Sequence, residues 1–141
     1  MEEPQIVLDL GCGQGRDALF IGRLGHTVTG VDLSESGIAQ LLEDADTEGL
    51  NVGGVVSDLV RYLPDSMFDI VLIDRTLHML RPEDRLLVLR RVIPFVKKGG
   101  YVLISDEPSN LPAMEQVFID DRIGWQVTWQ SKGYLFLQQD A

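Results

Sequence analysis

In the stretch "VLDLGCGQGRDALF", residues 7 to 20, an apolar run gives way to three glycines at alternate positions. Ile6 to Leu10 is short, apolar and rich in branched side chains, which predicts a buried strand. From Arg16 onward, Ala18, Leu19, Phe20, Ile21 and Leu24 suit a helix packed against a sheet. The glycines therefore fall on a strand-to-helix turn. Side chains there would keep a ligand away from the backbone and from the exposed amides of the helix start.

Strand and helix patterns alternate along the rest of the chain. "HTVTGVDL" predicts a strand ending at Asp32, and Ser34 caps a helix whose inner face is Ile38, Leu41, Leu42 and Ala45. "NVGGVVS" predicts a third strand, with a loop through Asp58 and Pro64 behind it, and "FDIVLID" a fourth. Pro82 opens a long helix, "PEDRLLVLRRVIPFV", which "KKGG" is expected to close. "YVLISDE" is a fifth strand, and near Asn110 a helix starts with Met114, Val117 and Phe118 on one face. "WQVTWQS" alternates, with Trp125, Val127 and Trp129 on one side, and "YLFLQ" follows after "KG". So short a turn cannot carry a parallel crossover, so these two strands form an antiparallel hairpin. Five parallel units and a hairpin whose second strand is inserted give an α/β fold, a doubly wound seven-stranded sheet with helices on both faces.

Composition narrows the function. A chain of 141 residues, 45% of them hydrophobic, is one domain with a substantial core. The net charge of −10 repels polyanions, so nucleic acid is not an expected partner. The cations Arg81, Arg85, Arg90, Arg91, Lys97 and Lys98 read as a solvated helix face near a C-terminus, where they suit the dipole. One cysteine excludes an intramolecular disulfide, and His26 and His78 have no zinc spacing, so no metal is expected. No apolar run has membrane-spanning length and "MEEPQ" has no signal core, so the expected compartment is the cytoplasm.

In doubly wound sheets ligands bind beyond the C-terminal strand ends, where the strand order reverses. A dinucleotide loop wants glycine at its first, third and sixth positions; here these are Gly11, Gly13 and Arg16. Arg16 would crowd a pyrophosphate, but a ligand with an amino-acid carboxylate can use that cation. The residues "VLDLGCGQGRDALFIGRLGHTVTGVDLS" resemble the glycine-rich motif and second strand of class I S-adenosylmethionine-dependent methyltransferases. "GCGQGRD" is most similar to the tellurite-resistance and thiol-methyltransferase branch. The resemblance implies the strand order 3-2-1-4-5-7-6 with strand 7 antiparallel. It further implies a single domain over residues 1–141, without the helical segment that many relatives carry before the first strand. Only Met1 to Pro4 precede that strand.

The resemblance also implies roles. Gly11, Gly13 and Gly15 let the loop, with Cys12 and Arg16, pass close to the methionine part of S-adenosyl-L-methionine. Asp9 lies near the cofactor's amino group, or is a buried acid that fixes the loop by accepting backbone N–H bonds. Asp32 accepts the ribose hydroxyls, or serves as a helix-entry residue before Ser34, and Leu33 flanks the adenine. Asp58 takes the adenine amine with Leu59 beside the ring, or is a solvated loop acid. Asp74, Arg75 and His78, in "DRTLHML", stand where the family keeps its reacting centre, Asp74 also facing the cofactor. His78 could take a proton from a thiol or hydroxyl acceptor, or could simply pack. Cys12, between two glycines, reads as a small residue filling a tight turn rather than a nucleophile.

Methyl transfer from a sulfonium asks little of side chains, because holding acceptor and methyl in line supplies effective molarities of about 10⁵–10⁸ M. The expected activity is therefore methyl transfer to a small-molecule acceptor, yielding S-adenosyl-L-homocysteine. The alternatives are a cofactor-binding module or partner subunit without efficient turnover, and a nicotinamide oxidoreductase, which Arg16 disfavours. A site open for want of a lid predicts either a homodimer that shields the ends of the fourth and fifth strands, or a slow monomer.

Overall fold

The computed structural model describes residues 3–141; Met1 and Glu2, part of the short lead before the first strand, lie outside the described residues. The strands are β1 (Ile6–Leu10), β2 (Thr27–Asp32), β3 (Val52–Val56), β4 (Phe68–Asp74), β5 (Val96–Ser105), β6 (Trp125–Ser131) and β7 (Tyr134–Gln139). The helices are α1 (Arg16–Arg23), α2 (Glu35–Glu48), α3 (Pro82–Val92) and α4 (Leu111–Ile119). One seven-stranded sheet runs β3-β2-β1-β4-β5-β7-β6, with β7 antiparallel to both its neighbours. This is the expected order, and it puts the switch point between β1 and β4.

Alternation along the strands divides the core. Leu8, Leu10, Val71, Ile73, Val102, Ile104, Leu135 and Leu137 meet α3 and α4 on one face. Val7, Val28 and Ile70 meet α1 and α2 on the other. Each such fully buried side chain contributes about 1.5–3 kcal/mol. Leu72, Leu103 and Phe136, in register across β4, β5 and β7, share the α1–α2 face but are only half-buried. Among the described residues no helix is long and apolar enough to cross a membrane.

Several local expectations are corrected. The stripe that α1 buries is Ala18, Leu19 and Gly22, leaving Phe20 59% and Leu24 63% exposed. Gly22 sets that stripe: a Cβ there would come within 2.5 Å of Val52 Cγ2, so the bare backbone seats α1 against β3. On α2, Leu42 is also exposed, while Gly37, Ile38, Leu41 and Ala45 are buried. "KKGG" does not close a helix. Pro94 has no N–H to continue α3, so the chain passes through one 3₁₀ turn, Ile93–Phe95, and enters β5 at Val96. The residues between Val96 and Tyr101 then bulge against the short step from Phe68 to Ile70 on β4, with Gly99 at φ +75°. The alternation in β6 also fails. A register shift between Val127 and Trp129 turns Trp129 to the face of Phe136, while Trp125 packs edge-on against Phe118 at 5.0 Å. Nor are the arginines a single solvated face. Arg85 donates to the carbonyls of Leu77, His78 and Leu80, and Arg91 to that of Val60, so both brace loops.

Candidate active site

Gly11, Gly13 and Gly15 all have positive φ, at +78°, +58° and +88°. Each has its own neighbour. A Cβ on Gly11 would lie 2.3 Å from Thr76 Cγ2, and one on Gly15 2.2 Å from Leu41 Cδ1, so these two glycines permit packing. A Cβ on Gly13 meets nothing within 4 Å, so its backbone faces open space. The loop is pinned from β2: Gly11 N and Cys12 N donate to Val31 O, at 2.7 and 3.1 Å. Gly13 N donates to Asp32 Oδ2 and Ser34 N to Asp32 Oδ1, both at 2.9 Å. Asp32 is thus both the loop brace and the entry residue of α2.

Asp9 does not brace the loop. It is 2% exposed, and its Oδ2 has no hydrogen-bond partner. Burial first, then the charges of Asp17, Asp74 and Asp32, push its carboxyl up to about 7. Cys12 is half-buried beneath the loop, and burial beside Asp9 and Asp32 pushes its thiol up to about 12, so it is no thiolate at neutral pH. That agrees with its reading as a turn filler. Arg16 projects outward, its side chain 93% exposed and 3.9 Å from Asp17.

Two clefts flank the switch point. The first, about 220 Å³, brings together Gly11, Asp32, Leu33, Asp58 and Leu59, all singled out in the sequence. Ser57 N donates to Asp32 O at 3.0 Å, which carries the loop after β3 beside the end of β2. Thr76, Met79 and Leu80, which sequence reasoning missed, complete its wall. They reach it because Arg75 adopts φ +52°, an uncommon conformation for a side-chain-bearing residue, and turns Thr76 against Gly11. The second cleft, about 350 Å³, lies between α1 and the ends of β4, β5 and β7. Asp74 lines it with Asp17, Ser105, Phe20, Tyr134 and Phe136, none of the last five predicted as site residues.

The three candidates for a reacting centre are not brought together. Asp74 accepts from the Ser105 hydroxyl at the second cleft, and hydrogen bonds from Asp17 and Ser105 hold its carboxyl below the ordinary value. Arg75 pairs instead with Glu107 at 3.1 Å on the surface. The His78 Nδ1 is buried without a hydrogen-bond partner, 3.9 Å from Asp106 Oδ2, and lines neither cleft.

The open face of Gly13 makes a specific expectation. Gly13→Ala should fold, at a cost of about 1 kcal/mol for the left-handed backbone. It should nevertheless weaken any ligand that lies on the loop by tenfold or more, read by calorimetry beside a thermal melt. Normal affinity in the folded variant would show that no ligand contacts this residue.

The methyltransferase domain family matches residues 7–100. The chain belongs to that family. The methyltransferase domain is 33% identical over 115 residues to the probable S-adenosyl-L-methionine-dependent methyltransferase TehB of Haemophilus influenzae, covering 77% of this chain and 40% of that protein. It is 30% identical over 131 residues to the ubiquinone biosynthesis O-methyltransferase of Maricaulis maris, covering 90% of this chain and 49% of the relative. The chain thus spans less than half the length of these relatives. The crystal structure of TehB from Haemophilus influenzae superposes with a TM-score of 0.75 at 22% identity, over 99% of this chain and 59% of that one. The methyltransferase domain is therefore a class I fold near the TehB branch.

Proposed function

We propose that this domain transfers a methyl group from S-adenosyl-L-methionine to a small-molecule acceptor, releasing S-adenosyl-L-homocysteine. One observation carries the reading: five residues marked for the cofactor line a single cleft at the β1–β4 switch point. The donors and acceptors there fit the group. Asp32 and Asp58 offer carboxylate acceptors to ribose hydroxyls and to an adenine amine, and Leu33, Leu59, Met79 and Leu80 offer apolar walls to a ring. Gly13 leaves room for a methionine chain, and the unpartnered Asp9 Oδ2 is an acceptor for its ammonium. When bound, S-adenosyl-L-methionine supplies an electrophilic methyl group on a sulfonium. The work of this chain is then to orient and to exclude water, with the carboxylates of Asp9 and Asp74 favouring positive charge at that end. The relative named for ubiquinone biosynthesis supports a small-molecule acceptor.

Calorimetric titration with S-adenosyl-L-methionine, S-adenosyl-L-homocysteine and NAD tests the reading. Both sulfur ligands should bind and NAD should not. Asp32→Ala should weaken binding by about 1.5–3 kcal/mol, roughly tenfold to a hundredfold. A thermal melt of the same variant reports the loss of the Gly13 and Ser34 braces separately from the loss of ligand contact. Unchanged affinity in a folded Asp32→Ala protein would overturn the assignment. Binding without methyl transfer to any small thiol, phenol or amine would make the chain a binding module.

A further inference from the structure

On the methyltransferase reading given above, we propose that Arg91 is a positioning residue for recognition of the base. From the last turn of α3 it holds the turn that presents Asp58, and so sets how strongly this chain prefers adenine to a 6-oxo purine.

The turn itself is local. Val60 N donates to Asp58 Oδ1 at 2.9 Å, and Arg61 N and Tyr62 N donate to Asp58 O at 3.1 and 2.9 Å. One carboxylate oxygen is thereby committed to the turn, and the other is the acceptor for an exocyclic amine. A turn of this kind fixes its own shape but not its place in the fold.

Its place comes from a tether on each side. Ser57 N donates to Asp32 O at 3.0 Å, which ties the start of the turn to the end of β2. Beyond the turn's start, Arg91 Nη1 donates to Val60 O. Between the two tethers lie Asp58 and Leu59, the residues that this segment gives to the first cleft. Leu59, Val60 and Tyr62 pack against the core but stay partly exposed, and apolar packing is non-directional. The guanidinium supplies the direction.

The helix that carries it is a firm anchor. Val88, Leu89 and Val92 are buried in the core, and Arg91 is itself half-buried. A planar guanidinium holds its geometry better than a flexible ammonium would. The same helix carries Arg85, which holds the carbonyls of Leu77, His78 and Leu80 and with them the segment that supplies Met79 and Leu80 to the cleft. One helix therefore sets two parts of the wall, Arg85 the apolar part and Arg91 the acidic part. Loss of Arg85 should weaken every purine alike, whereas loss of Arg91 should erase a preference between purines.

The test titrates the full chain by calorimetry at pH 7 with S-adenosyl-L-homocysteine and with S-inosyl-L-homocysteine, which carries a carbonyl oxygen where adenine has its amine. The wild type should bind the adenine ligand about tenfold or more tighter. Arg91→Met keeps the aliphatic stem but has no donor, so the chain should fold, as a thermal melt checks. Its affinity for the adenine ligand should fall about fivefold or more while that for the inosine ligand holds. Arg91→Lys, which retains a donor, should recover much of the preference. Asp58→Ala should lose the preference too, and adding Arg91→Met to it should cost nothing further. Arg85→Ala should weaken both ligands by the same factor. An undiminished preference in Arg91→Met would overturn the proposal, as would an equal loss for both ligands, which is the mark of a merely structural arginine. So would a wild type that binds the two ligands equally, since Asp58 would then not read the base. Failure of S-adenosyl-L-homocysteine itself to bind the wild type overturns the methyltransferase reading instead.

Discussion

Asp106→Ala should lower the unfolding free energy by about 3–5 kcal/mol, the range for uncovering several buried donors of a charged hydrogen-bond network. Asp106 is fully buried just beyond β5. Its Oδ2 accepts from His78 N at 3.0 Å, and its Oδ1 from Glu107 N at 2.8 Å and Asn110 Nδ2 at 2.9 Å. Truncation leaves all three without their acceptor. The damage should spread, because Asn110 Oδ1 accepts from Arg85, which also holds the carbonyls of Leu77, His78 and Leu80. Segment 77–80 supplies Met79 and Leu80 to the first cleft, so cofactor affinity should fall together with stability. Asp106→Asn keeps one acceptor oxygen and should lose about half as much. Urea unfolding at pH 7 measures both variants. A loss below about 1 kcal/mol for Asp106→Ala would mean that this carboxylate does not hold the segment.

That network explains why part of the site was hidden in the sequence. The glycine turn was legible because it is local: three glycines within five positions, between a strand pattern and a helix pattern, admit few backbones. The closing hairpin followed from a turn too short to cross over, whereas the strand order came from the resemblance to the methyltransferase family. Arg85, by contrast, looked like one of six surface cations. Its role depends on Asn110, 25 residues away, which no periodicity links to it. The second cleft was hidden for the same reason. Phe20, Ser105, Tyr134 and Phe136 meet Asp74 only because β7 is inserted beside β5, and the register then sets Tyr134 opposite Ser105. Composition also misled at Phe20, where hydrophobicity suggested burial and the stripe set by Ala18, Leu19 and Gly22 left the ring exposed. At Trp129, a single register shift undid a pattern that rests entirely on a period of two.

The largest gain in stability should come from removing a charge that the proposed function needs. Asp9→Asn is expected to stabilise the chain at pH 8 by on the order of 4 kcal/mol, the free-energy equivalent of its raised pKa. The folded carboxyl holds its proton up to about pH 7, whereas its ordinary value is 3.8. Between those values the folded state binds the extra proton, so this group's contribution is intact below about pH 4 and is lost as pH rises to 7. Asp17, also raised, acts in the same direction, and Asp74, lowered, opposes it, so the variant must be compared with the wild type at each pH. Urea unfolding at pH 5, 6, 7 and 8 should show the advantage of Asn growing with pH and levelling off above 7. Parallel curves would mean that Asp9 is already ionised at pH 5. Binding should move the other way. A cationic ligand near Asp9 favours its ionised form, so binding releases a proton, and wild-type affinity for S-adenosyl-L-methionine should tighten between pH 6 and 8. Asp9→Asn should bind more weakly with a flatter profile. A buried carboxyl without a hydrogen-bond partner is a standing cost to the empty fold, and a cation brought by the ligand is what would offset it.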